Sequence, residues 1–116
     1  MVDYIKEVQN SLEKDEKILK EIIVKRAFLL KKVSTYIFLT NKRIIYIQPT
    51  FGLLIKNKLK SVNLSEISGI TYLPKPLHSA GLIKLITKKG KNILLSPSYV
   101  GQSEAIDFIE EVKRKK

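Results

Sequence analysis

Residues 36–46 read Tyr36-Ile37-Phe38-Leu39-Thr40-Asn41-Lys42-Arg43-Ile44-Ile45-Tyr46. Two runs of β-branched and aromatic residues flank four polar ones, the pattern of two antiparallel strands joined by a tight turn. Asn41 tolerates the positive φ that such turns demand, although Asn-Lys is a weaker hairpin signal than Asn-Gly. The second run continues to Ile47, and both faces of the hairpin are apolar. One face therefore belongs to a core, and the other needs cover from an N-terminal helix, a C-terminal helix or a second subunit.

Upstream, Ile5, Val8 and Leu12 recur at helical spacing with Lys6, Glu7 and Glu13 elsewhere on the wheel, which predicts an amphipathic helix within residues 1–14. Residues 17–24 carry Ile18, Leu19, Ile22, Ile23 and Val24, a short apolar run that fits a continuing helix or a strand. Downstream, strands are expected at 59–64, 67–73, 82–87 and 92–96, with Gly69 a candidate bulge and Lys89-Gly90 the tip of a further hairpin. Pro49, Pro74, Pro76 and Pro97 mark the joints. A last helix is expected over 103–114, capped by Ser103, with Glu104 and Asp107 near its start and Lys113 to Lys116 at its end, as the helix dipole favours. Its stripe of Ala105, Phe108, Ile109 and Val112 calls for an apolar opening to plug.

The 116 residues suit one domain, and 44% hydrophobic against 28% charged residues is the balance of a folded chain. No cysteine is present, so packing and backbone pairing must hold the fold. Residues 1–10 contain no continuous apolar run, which predicts neither a signal peptide nor a membrane span and makes a cytoplasmic protein the expectation. Twenty-two Lys and Arg against eleven Asp and Glu give a net charge of +11. This points to an acidic partner, unless the lysines only serve solubility.

The string from Tyr36 to Tyr46 resembles the Leu-Thr-Asn-Lys-Arg hairpin of the bacterial PH-like domains and the related GRAM domains. Leu12-Glu13-Lys14-Asp15-Glu16-Lys17-Ile18-Leu19 is similar to that family's acidic lead into its first strand, and Leu64-Ser65-Glu66-Ile67 to its turn between two sheets. The resemblance implies a mainly β (α+β) fold: a seven-stranded PH-like barrel of two near-orthogonal antiparallel sheets over 17–96, capped by the C-terminal helix. It implies a first strand at about 17–26, with the N-terminal helix an addition.

Catalysis needs a positioned nucleophile, base or metal, whereas this chain has one histidine, His78, and scattered acids. No catalytic residue, metal ligand or cofactor is expected. What stands out is apolar tips flanked by lysine: Lys25-Arg26-Ala27-Phe28-Leu29-Leu30-Lys31-Lys32, and Phe51-Gly52-Leu53-Leu54-Ile55-Lys56-Asn57-Lys58. A third turn, Lys88-Lys89-Gly90-Lys91, is purely basic. In the PH fold the loops after strands one, three and six gather at the barrel's open end, so the resemblance gathers these three segments into one patch. The resemblance also places Lys25, Arg26, Lys31 and Lys32 where phosphoinositide-binding PH domains carry their basic signature, here without its terminal Lys-x-Arg.

The expected function is a non-catalytic binding module. Lys25, Arg26, Lys31, Lys32, Lys56, Lys58, Lys88, Lys89 and Lys91 would hold an anionic phospholipid or acidic protein, while Phe28, Leu29, Phe51, Leu53 and Leu54 enter a membrane or interface. The expected location is the cytoplasm, peripheral on the inner face of the cell membrane. The alternatives are that Ala27 to Leu30 extend a long hairpin, or that the apolar hairpin face serves protein binding or a homo-oligomer. Nucleic acid is disfavoured, because Tyr36, Phe38, Tyr46 and Tyr72 lie within strands rather than on a stacking surface.

Overall fold

The computed structural model describes the backbone of residues 4–28, 31–50, 56–74, 80–95 and 100–115, and side chains over 5–23, 36–47, 59–74, 81–95 and 101–115. Helix α1 (Tyr4–Ser11) precedes strands β1 (Ile18–Phe28), β2 (Lys31–Thr40), β3 (Arg43–Thr50) and β4 (Lys56–Asn63). A 3-10 turn, Leu64–Glu66, leads to β5 (Ile67–Pro74), β6 (Ala80–Thr87), β7 (Asn92–Leu94) and β8 (Val100–Gly101), and α2 (Gln102–Lys115) closes the chain.

Two antiparallel sheets result. The first has the order β1-β2-β3-β4; the second has the order β5-β6-β7, with β8 also on β6. The ambiguous run after Lys17 is a strand, because Ile22 is claimed by the core and Ile18 and Ile23 by the opposite face. The main core lies between the sheets and under α2, and joins Ile22, Ile37, Leu39, Ile44, Tyr46 and Val62 to Ile67, Ile70, Ile83, Leu85 and Leu95. Ala105, Phe108, Ile109 and Val112, the stripe read from the sequence, are all buried in it, and α2 packs on β1, β5, β6 and β8.

The outer face of the hairpin is covered within the chain. Val8 of α1 is fully buried against Tyr36, Phe38, Ile45 and Ile47, with Ile5, Leu12, Ile18 and Ile23 packed around them. Ile5, Val8 and Leu12 are the residues whose spacing predicted the helix. Of the three covers the sequence left open, α1 is the one in place.

Several details differ from expectation. Helix α2 begins at Gln102, so Ser103 sits inside its first turn rather than capping it; β8 is too short to leave a pattern in sequence. Pro49 is inside β3, not at a joint, and lies opposite Asn57. The described pairing of β3 with β2 ends at Tyr46, so Pro49 lies on a stretch that has lost one neighbour, where a missing N–H is tolerated. The bulge at Gly69 is present as a register shift between Ile67 and Gly69. Gly90 closes the Lys88–Lys91 turn at φ 86°, a conformation favouring glycine. Gly81 has a different reason: a Cβ there would collide with the Leu73 carbonyl oxygen and lie 2.8 Å from the Tyr72 ring.

Candidate functional site

Two constructions stand out, a polar joint and a basic cleft. The joint is built on the turn that opened the sequence reading. Asn41 ties it to the start of β1, accepting from the Lys17 N–H through Oδ1 (2.8 Å) and donating through Nδ2 to the Asp15 carbonyl (2.9 Å). The sequence suggested Asn41 for its backbone; the structure uses its side chain. Arg43 donates through Nε to Glu16 Oε2 (2.9 Å), and through Nη2 to Glu16 Oε1 (3.0 Å) and the Ser11 carbonyl (2.8 Å).

The Glu16 side chain is fully buried, so its lone pairs need partners. Besides Arg43, it accepts from the Thr40 hydroxyl (2.5 Å) and the Glu13 N–H (3.0 Å). Burial pushes the carboxyl's pKa upward, but the bonds from Arg43, Thr40 and Glu13 and the guanidinium charge outweigh it and hold the group at about 2. Lys42 adds an exposed ion pair to Glu13 at 2.9 Å. This joint is structural: it fastens the end of α1 and the acidic lead to the hairpin.

The cleft, of about 500 Å3, lies where the sheets part, between β4 and the β6–β7 turn. Lys60, Lys88, Lys89 and Lys91 line it with Ser61, Ser65, Glu66 and Thr87, and Tyr46, Val62 and Ile93 provide its apolar lining. An adjoining recess of about 290 Å3 shares Tyr46, Lys60, Lys91 and Ile93 and adds Asn92 and Leu94. The turn is fixed by Lys88 N–H donating to the Glu66 carbonyl (2.8 Å) and Lys91 N–H to the Thr87 hydroxyl (3.1 Å), so its lysines are carried on ordered backbone.

Of the residues expected to bind, Lys88, Lys89 and Lys91 are exposed at this cleft. Lys60 joins them, unpredicted. Its signal was parity: it shares the alternation of Val62, and directly opposite residues of an antiparallel pair leave the sheet on one side, so its pairing with Tyr46 puts it on the cleft side of β4, where it is exposed. The first hairpin extends further than 17–26 implied. Lys25, Arg26 and Phe28 are β1 residues and Lys31 and Lys32 β2 residues, with Phe28 opposite Lys31, as in the long-hairpin alternative. Lys56 and Lys58 stand on β4 opposite Thr50 and Gln48. The side chains of these seven residues, all of Leu29, Phe51, Leu53 and Leu54, and His78 lie outside the described residues, as does their convergence with Lys88–Lys91.

Among the described residues no group of three metal-ligating side chains occurs, and no helix is long and apolar enough to cross a membrane. A helix-capped pair of antiparallel sheets with a basic cleft between them defines a small β-rich domain of the pleckstrin-homology class. The chain belongs to the bacterial PH domain family, whose model matches residues 12–114; helix α1 precedes that span. PH domains are in general non-catalytic binding modules, commonly for lipids or proteins.

Two solved structures share the fold. One is the C-terminal domain of an unknown protein from Leishmania infantum, with TM-score 0.59 and 15% identity over 93% of this chain and 89% of that one. The other is a DUF1696 family protein with a pleckstrin-homology domain from Shewanella loihica PV-4, with TM-score 0.57 and 14% identity over 94% and 86%. At these identities the likeness concerns fold alone. No curated protein matches the chain.

Proposed function

We propose that this bacterial PH-family chain is a membrane-attachment module that docks reversibly on an anionic lipid surface, at the inner face of the cell membrane. The observation that carries the reading is the gathering of Lys60, Lys88, Lys89 and Lys91 around one cleft in which Glu66 is the single carboxylate among the described residues. Each lysine near an anionic surface contributes about 1 kcal/mol, so four give about 4, no better than millimolar attachment. Two apolar side chains drawn from Phe28, Leu29, Phe51, Leu53 and Leu54 would add roughly 1.5–3 kcal/mol each, enough together for micromolar binding. Lys25, Arg26, Lys31, Lys32, Lys56 and Lys58 flank those tips in sequence. The other apolar surface, the outer hairpin face, is occupied by α1, which favours the lysine-bearing side.

Co-sedimentation with vesicles tests this. The chain should be retained on vesicles containing phosphatidylserine, not on neutral ones, and released by salt. Reversing Lys88, Lys89 and Lys91 to Glu should abolish retention, and Phe28→Glu with Phe51→Glu should weaken it. Equal retention on neutral vesicles, or indifference to the three charge reversals, refutes the proposal.

A further inference from the structure

Tyr46 is 5% exposed, and its ring belongs to the main core while its side chain lines both the cleft and the adjoining recess. Its hydroxyl has no hydrogen-bond partner among the described residues. The two buried polar side chains among the described residues are satisfied: the Thr40 hydroxyl donates to Glu16 and accepts from the Lys42 and Arg43 N–H groups, and Glu16 is bonded through both oxygens. A phenol that makes no bond within the described chain, on the wall of an open cleft, leaves its hydroxyl available to water or to a ligand, whereas phenylalanine would fill the same core space without that donor.

Lys60, directly opposite Tyr46, leaves the sheet on the same side and is exposed at the cleft. A lysine on an edge strand discourages pairing between molecules. That accounts for Lys60 but not for the phenol beside it. Around the pair, the cleft is lined by the ammonium-bearing side chains of Lys60, Lys88, Lys89 and Lys91, which can only donate. Burial pushes the Tyr46 phenol's pKa up, so at neutral pH it remains a donor. A ligand for such a site must be rich in acceptors and negatively charged.

We propose that the cleft between β4 and β7 is a phosphate-binding site, in which the Tyr46 hydroxyl and the ammonium groups of Lys60 and Lys91 each donate to one terminal oxygen of a phosphomonoester. Among the described residues these are the side-chain donors shared by the cleft and the recess, and three donors match three terminal oxygens where a carboxylate would supply two. Val62 and Ile93 form the apolar wall against which the rest of the ligand lies. Glu66 lies on the same cleft, where Asn63 Nδ2 donates to it at 3.4 Å. The inference deepens the reading of this face as an anion-binding surface and rests on it. It adds a discrete seat, filled by a lipid headgroup or by a soluble phosphate.

The test uses the full chain, Tyr46→Phe and Lys60→Gln in two arms. In the first, inorganic phosphate is titrated at constant ionic strength while the amide resonances of Lys60, Lys91 and Ile93 are followed. In the second, vesicles of phosphatidic acid, a phosphomonoester, are compared with phosphatidylserine vesicles of matched charge. Wild type should show saturable shifts, a preference for phosphatidic acid, or both, and each variant should weaken that binding about 10-fold. A response in the vesicle arm alone assigns the phosphate to a lipid headgroup; a response in the soluble arm alone assigns it to a free phosphate.

If Tyr46→Phe matches wild type in both arms, or no saturable binding occurs in either, the proposal is overturned. Retention on phosphatidylserine through the outer lysines would survive that outcome. Conversely, phosphate saturation without any vesicle retention would support the seat and sink the membrane reading alone. A second measurement guards the premise: without ligand, Tyr46→Phe should melt within about 2 °C of wild type or higher, because no hydrogen bond is lost. A fall of more than about 5 °C would show that the hydroxyl is already bonded in the free protein, and would overturn the proposal.

Discussion

Replacing Glu16 by Gln keeps the shape of a buried side chain and removes the charge that faces Arg43 at 2.9 Å. In the folded chain the carboxyl titrates at about 2, against an ordinary value of 4.5. A pKa depressed by folding stabilises the protein above the unfolded pKa, and that contribution is lost as pH falls through the window between the two values. With 1.36 kcal/mol per unit, the contribution at pH 7 is about 3 kcal/mol. At pH 3 the unfolded carboxyl is already mostly protonated and the folded one is not, so about 2 kcal/mol of this has gone.

Urea unfolding of wild type and Glu16→Gln from pH 7 to pH 2.5 measures the difference directly, and the acid sensitivity common to both chains cancels. The stability gap should be about 3 kcal/mol at pH 7 and shrink to about 1 kcal/mol at pH 3. A gap that stays constant across this range refutes the assignment of the stabilisation to an ionised Glu16. A gap near zero at pH 7 refutes the importance of the joint altogether.

Other substitutions probe separate parts of the fold. Phe108→Ala empties the centre of the α2 stripe, where the side chain is 1% exposed, and should cost about 3–5 kcal/mol by urea denaturation. Val8→Asp should lift α1 from the hairpin, lowering stability by about 3 kcal/mol and producing larger species in light scattering as Phe38, Ile45 and Ile47 are uncovered. Asn41→Ala removes both side-chain bonds at the turn and should cost about 1 kcal/mol in chemical denaturation, because these bonds are exposed. Gly81→Ala meets backbone at Leu73 and should lower stability by about 2 kcal/mol or more, seen as a depressed Tm.

The hairpin from Tyr36 to Tyr46 could be read in sequence because its information is local: alternation sets the strands and four polar residues set the turn. Helix α2 was legible for the same reason, since one stripe of four residues faces one core. The partner of Arg43 was not. The acidic lead offers Glu13, Asp15 and Glu16, and which of them reaches the guanidinium depends on where β1 enters the sheet, past a register shift between Ile18 and Lys20. Lys88, Lys89 and Lys91 announced themselves as a basic turn, whereas their neighbours across the cleft depend on how two sheets meet. The Tyr46 hydroxyl is a further step removed: strand parity places the ring in the core, but only the opposing sheet decides whether its oxygen finds a partner.

The position of the Glu16–Arg43 joint also bears on the order of events in folding. Strands β1 and β2 are connected at Phe28 and Lys31, and the joint sits at the far end of that pairing, where Ile18 meets Thr40. Zipping from the connection outward lets each closed rung shorten the next loop, so the charged rung, which bridges 27 residues of sequence, closes late. Interactions made after the rate-limiting barrier hardly change how fast a chain folds; they change how long it stays folded. Glu16→Gln should therefore shorten the native lifetime while leaving the speed of folding almost untouched, which stopped-flow folding and unfolding rates would check.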